Sequence, residues 1–182
     1  MADGEYDWRA DLVSAYADLF DPSPGDPPVA QGWPCVGDGW RNLLERACVR
    51  IRAAVQADGG TFKAAQIKEK FATLRFYWDG TLSTEAAARV EEAIDLAEAC
   101  SACTCDSCGQ EGWLYRSGGC LMTRCAQHAD GGRLEGVKSH LRNVRVETRI
   151  VGDRKMVRCR RYVRETDSFV DVDPASLDLE EE

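Results

Sequence analysis

The chain has 182 residues, and 44% of them are hydrophobic, enough for the packed core of one ordinary domain and against global disorder. No apolar run approaches the roughly 18 residues of a membrane-spanning helix. The acidic opening Met1-Ala2-Asp3-Gly4-Glu5 lacks the layout of an export signal, so a cytoplasmic protein with no membrane partner is expected. The net charge of −8 is unevenly spread: residues 1–30 carry seven acids and one base, residues 133–164 eleven bases and three acids, and residues 165–182 eight acids and no base.

Trp8, Leu12, Tyr16, Leu19 and Phe20 recur at helical spacing and predict a first short helix. The proline-rich residues 21–28 end it as a loop with some polyproline II character. Asp38 is placed to cap a second helix, whose buried face runs through Trp40, Leu43, Leu44, Ala47, Cys48, Ile51, Ala54 and Val55. Asp58-Gly59-Gly60 ends it, because glycine tolerates the left-handed geometry that follows a helix. Residues 61–70 and 74–78 read as a β-hairpin turning near residues 71–73, with a helix over residues 64–71 as the competing reading. Ser83 or Thr84 caps a third helix that buries Ala87, Val90, Ile94 and Ala97 and ends near Cys100.

After a cysteine-rich stretch, residues 143–150 and 156–163 alternate as two strands around a turn at 151–155. Val144, Val146, Thr148 and Ile150 form the apolar side of the first, so a half-buried hairpin with a basic outer face is expected. From residue 165 onward the acidic chain is expected to fray. The predicted fold class is α+β: a small sheet built on hairpins, packed by two to three helices, with a zinc knuckle and a C-terminal basic β-hairpin. The parts are an N-terminal helix and loop (1–32), a core (33–132) with the knuckle at about 100–130, the basic hairpin (133–164) and an acidic tail (165–182).

Nine cysteines would suggest disulfides in a secreted chain, and their odd number argues against full pairing. Without an export signal, metal binding is the better reading of the cluster than disulfides, and no disulfide-linked partner is expected. Cys105 and Cys108 have the two-residue spacing that sets two thiolates on one ion, and Gly109 supplies a permissive backbone after them. Cys125 and His128 supply a second pair. Three thiolates and an imidazole make a closed tetrahedral site suited to a structural Zn2+. Cys103 competes with Cys105, and Cys120 with Cys125, although Cys120 has no ligand-type residue at the right spacing. Cys35, Cys48, Cys100 and Cys159 read as packing thiols.

Three segments carry a resemblance: Gly37-Asp38-Gly39-Trp40 with Leu43-Leu44, then residues 66–77 around Lys68-Glu69-Lys70-Phe71-Ala72-Thr73-Leu74-Arg75, then Cys105-Asp106-Ser107-Cys108-Gly109 with Cys125 and His128. In order and spacing they resemble a family of uncharacterised bacterial and prophage proteins with GDGW…LL, KEKFGTLRFY and a C-terminal zinc knuckle, over roughly residues 33–130. The resemblance implies no activity. It supports Cys105, Cys108, Cys125 and His128 as the ligands. This chain has Ala72 where the family has glycine, and residues 133–182 lie beyond the family core.

Three functions compete. The first is a zinc-stabilised intracellular binding module, phage-derived, that docks on or inhibits a host factor through Trp33, Trp40 or Trp113. The second is a nucleic-acid binder using Arg142, Arg145, Arg149, Lys155, Arg158, Arg160 and Arg161, with Tyr162 nearby as a stacking ring. The third is an enzyme with Glu69 as general base among Lys68, Lys70 and Arg75. The plainer account of that last motif is opposite charges paired across the hairpin. The binding module ranks first.

Overall fold

The computed structural model describes residues 7–134, 141–151 and 154–177. Helices α1 (Trp8–Ala15) and α2 (Ala17–Phe20) lead to a short strand β1 (Pro34–Cys35) and helix α3 (Arg41–Asp58). Strands β2 (Thr61–Lys70) and β3 (Thr73–Thr81) precede helix α4 (Thr84–Ser101). Then come β4 (Trp113–Ser117), β5 (Cys120–Arg124), β6 (Gly132–Arg133), β7 (Val144–Val151), β8 (Arg154–Val163) and β9 (Ser168–Val172). The fold is α+β, with three small sheets in the orders β1-β2-β3, β5-β4-β6 and β7-β8-β9.

The predicted first helix is two. The chain leaves helical geometry at Tyr16 (φ −117°, ψ 38°) and re-enters it one residue later. The break lets Trp8, Leu12 and Val13 from one piece and Leu19 and Phe20 from the other reach the same core. Asp38 does not cap α3. It opens a short 3-10 turn, and its carboxylate accepts from Trp8 Nε1 (2.9 Å) and Arg9 (2.8 Å), which ties α1 to this segment. Trp40 takes the capping position and is fully buried, a site where truncation to alanine costs about 3–5 kcal/mol. Gly59 ends α3 in the left-handed region (φ +74°), and Ser83 caps α4 by accepting from Ala86 N.

Residues 61–70 form a strand, not a helix, because pairing to β3 buries Phe62, Ala64, Ile67, Leu74 and Phe76 on one side. A register shift between Ala64 and Gln66 moves the inward set from even to odd positions. Two residues, Phe71 (φ +54°) and Ala72 (φ +67°), make the turn. Positive φ at both central positions matches the right-handed twist of a two-residue hairpin, and Ala72 adopts it although it is not glycine. On α4 the buried residue of the first turn is Ala86, not Ala87.

The C-terminal part differs most from its sequence reading. Ser168–Val172 pairs with β8, and a 3-10 turn at Pro174–Leu177 buries Leu177, so the acidic stretch is folded that far. Residues 178–182 lie outside the described residues. The inner face of the sheet is also reversed. Arg145 and Arg160 reach acids on α4, while Val146 and Ile150, read as the buried side, are exposed (Ile150 by 80%). Ion pairing to α4 outweighs the apolar alternation.

Candidate metal centre

Cys105, Cys108, Cys125 and His128 converge, with all four candidate donor atoms within 4.8 Å of one another. Cys108 Sγ lies 3.7 Å from Cys125 Sγ, and His128 Nδ1 lies 3.3 Å from Cys125 Sγ and 3.7 Å from Cys105 Sγ. A tetrahedral zinc site has S–S edges of about 3.8 Å and S–N edges of about 3.5 Å, from metal–ligand bonds of about 2.3 and 2.0 Å. The spacing and the donor chemistry therefore fit a metal ion. No other group of three or more candidate ligands gathers among the described residues.

Local backbone geometry aims the donors. After α4, Cys105 N donates to Gln110 O (2.8 Å) and Gly109 N returns to Cys105 O (2.9 Å), which closes a tight loop around the first pair. Gly109 sits at φ +77°, where a side chain would be strained. The second pair sits on a similar turn, with His128 N and Ala129 N both donating to Cys125 O. Asp106 N donates to Thr123 O, joining the cysteine loop to β5. Arg124 pairs with Asp106 across the same junction.

The motif segments meet at this loop. Gly39 N donates to Asp106 O (2.7 Å), and Trp40 Nε1 donates to Thr104 O (2.9 Å). A Cβ on Gly39 would collide with Cys105 O and Gly109 N, and one on Gly37 with Asp106 O. Both glycines are thus explained by close backbone approach. From the other side Thr123 Oγ1 donates to Ala72 O (2.8 Å) at the hairpin tip, and Leu74 N donates to Ser101 Oγ (2.8 Å). Thr123 is fully buried and was not singled out in the sequence, where an isolated threonine in a strand carries no signal.

The thiols divide by environment. Burial pushes the Cys105 thiol up, but the backbone N–H groups of Cys125, Cys108 and Ser107 outweigh it and lower the pKa. For Cys125 burial is likewise outweighed, by the N–H groups of His128 and Gln127. For Cys108 the Gln110 N–H lowers the pKa, but burial and the adjacent Cys105 and Cys125 together raise it. Thiolates this close repel one another unless a cation lies between them, and the thiolate is the ligating form.

The competing cysteines lie elsewhere. Cys103 is buried, and its thiol donates to Cys100 O (3.3 Å). Cys120 is exposed at the start of β5. Cys48, Cys100 and Cys159 are buried packing thiols, whereas Cys35, read the same way, is exposed on β1. Burial, and after it the nearby Glu45 carboxylate, push the Cys48 thiol well above the ordinary thiol range, and Arg52 only partly opposes them, so it stays protonated.

The other candidate residues are scattered. Glu69 accepts from Ala72 N and closes the hairpin turn. Lys68 stands opposite Arg75, so the expected pairing of opposite charges across the hairpin does not form there, and Arg75 faces Glu98 on α4 at 3.9 Å. Lys70 lies over the Phe71 ring. The arginines read as a stripe are largely engaged by acids of the same chain: Arg142 with Glu111 (3.0 Å), Arg145 with Asp95 (2.7 Å), and Arg158 with Asp171 (2.9 Å). Arg160 is only 6% exposed and bonds Glu92 and Glu147. Arg161 is half-buried. The side chains of Arg149 and Lys155 lie outside the described residues. Trp40 is core, Trp33 is partly buried against it, and Trp113 stands on β4.

No helix among the described residues is long and apolar enough to cross a membrane. Compared with protein-family models, with curated proteins and with solved structures, the chain matches none.

Proposed function

We propose that this is a zinc-braced binding module, in which Cys105, Cys108, Cys125 and His128 hold one Zn2+ and the ion fixes a surface that a partner protein docks on. The observation that carries the reading is the convergence of four thiol and imidazole donors, all within 4.8 Å of one another, at the point where the motif segments meet. Thiolate and imidazole donors favour zinc over calcium or magnesium. Four protein ligands leave no coordination position for water or substrate, so such an ion contributes to folding rather than to a reaction. Gly37 and Gly39 on one side and the hairpin turn at Ala72 on the other both press on the cysteine loop, so an ion there would brace three segments at once. A protein partner, such as a host factor, is favoured over nucleic acid because Arg145, Arg158 and Arg160 are already matched by acids in cis.

Native mass spectrometry of the folded chain tests the ion: the expected mass is that of the protein plus one zinc. Cobalt substitution should give the absorption of a tetrahedral thiolate site. Chelation should release the ion with a loss of thermal stability. A chain that is equally folded and equally stable without metal would overturn the reading.

A further inference from the structure

Between the hairpin tip and β4 lies a recess of about 660 Å³ with an apolar floor that includes Leu114 and Leu134. On its wall the guanidinium carbons of Arg133 and Arg142 lie 3.5 and 3.3 Å from the centroid of the Trp113 ring. Two groups so close to one ring cannot share a face, so the indole is sandwiched between them. Stacking leaves the in-plane N–H donors of a guanidinium available to a carboxylate. Arg142 spends part of that capacity on Glu111 and Gly112 O. Arg133 is exposed, and no carboxylate among the described residues pairs with it. None of the described residues lining the recess is acidic.

A second observation concerns Phe71, which also lines the recess. It sits at φ +54° with 67% of its surface exposed. Left-handed backbone costs a non-glycine residue roughly 1–2 kcal/mol, and an exposed ring recovers little of that by burial. Asparagine or glycine would serve the turn better. Backbone strain of this kind clusters at active sites, ligand clamps and switch regions.

We infer that the recess binds an acidic segment of a partner protein, with an apolar side chain packed on Phe71, Leu114 and Leu134 and a neighbouring carboxylate held by Arg133 and Arg142. The inference rests on the binding-module reading and specifies its surface. Nucleic acid fits less well. The recess offers two cations beside one pocket, not a track, and Arg145, Arg158 and Arg160 of the C-terminal sheet are already paired with acids of the same chain.

The test uses the full-length, zinc-loaded chain and a fluorescein-labelled peptide, Gly-Glu-Glu-Leu-Phe-Glu-Glu-Gly. Its controls are a version with lysine in place of glutamate and a labelled oligo(dT). The acidic peptide should bind, more weakly as salt rises, and the controls should not. Phe71→Asn should weaken binding by at least about tenfold while the thermal midpoint holds or rises, a combination that a purely structural role for Phe71 would not give. Arg133→Gln, a change at an exposed side chain, should weaken binding and flatten its salt dependence. Failure of the acidic peptide to bind, unchanged binding in both variants, or preferential binding of oligo(dT) would each overturn the proposal. Zinc content is read by native mass spectrometry on the same samples. Zinc-loaded protein that ignores the peptide would reject the recess and leave the zinc-braced module standing, whereas protein that folds without zinc would reject both.

Discussion

The cysteine loop and the C-terminal sheet are both built from polar side chains, but they hold together differently. Around the loop, four donors separated by fixed short spacings converge on one point, and the neighbouring segments approach through glycine backbone. In the C-terminal sheet, Arg145 and Arg160 reach Asp95 and Glu92 on α4, and Asp167 reaches Arg46 and Arg50 on α3. One device is local and gathers four candidate ligands at one point. The other is spread over contacts between distant parts of the chain, so no single pair decides it.

The largest expected effect separates the two. Structural zinc contributes on the order of 10 kcal/mol to the folding of small zinc domains. Cys105→Ser should therefore abolish tight metal binding and unfold the loop, while the C-terminal sheet, which has no ligand in it, keeps its pairing. Amide hydrogen exchange checks this directly: protection should vanish over β4 and β5 and persist over β8. Simultaneous loss at both would show that the sheet depends on the ion after all.

Arg160→Met comes next. Arg160 is buried among Glu92, Asp95 and Glu147, so its removal leaves acids unpaired at a cost of about 3–5 kcal/mol. Exposure of Glu92 puts the value toward the lower end. Chemical denaturation with zinc stoichiometry measured in parallel should show lowered stability and an unchanged metal content. Adding Glu147→Gln should recover part of the loss, because the two sites are coupled.

Asp167→Asn should be milder, about 1–2 kcal/mol, since both arginine partners are partly exposed and screened. Its sign with pH is definite. Burial raises the Asp167 pKa, but hydrogen bonds from Tyr162, Arg46 and Arg50 outweigh it and hold the folded value below the ordinary 3.8. The carboxylate's contribution is thus fully present above that value and lost as pH falls through the lower, folded one. The stability gap between the native chain and the variant should be constant near neutrality and close in strong acid. A gap that widened on acidification would mean that the carboxyl is protonated in the fold.

The same contrast explains what was legible in the sequence. Spacing encodes the ligand set, because two residues between cysteines and between Cys125 and His128 fix the donors on turns whatever the rest of the chain does. Helix periodicity encodes α3 and α4 for a similar reason: their buried faces repeat within one element. The C-terminal sheet has no such local code. Alternation of Val144, Val146, Thr148 and Ile150 points to a buried face, but the acids on α4 that turn Arg145 and Arg160 inward lie tens of residues away. Nor does acidity mark a frayed tail when Asp167 and Asp171 have arginine partners waiting elsewhere in the chain. The recess is legible only in part: Trp113 and Phe71 stand out as aromatics, but their proximity depends on how the hairpin tip meets β5.

Ala72 is where the two ways of reading meet, and Ala72→Gly should have the smallest effect. Glycine at this position relieves the left-handed strain of alanine, worth about 1 kcal/mol. Against this stand the loss of a buried methyl, about 0.8 kcal/mol, and the greater freedom of glycine in the unfolded chain, about 0.5–1 kcal/mol. The net change should be a destabilisation of less than about 1 kcal/mol, because the bonds from Ala72 N to Glu69 and from Thr123 to Ala72 O use only backbone atoms of residue 72. Glu69→Ala, by contrast, removes the acceptor for Ala72 N and should cost more. If equilibrium unfolding ranked the two the other way, the methyl group would be packing the hairpin tip onto the cysteine loop, and the junction would depend on side-chain fit where the structure shows backbone hydrogen bonds.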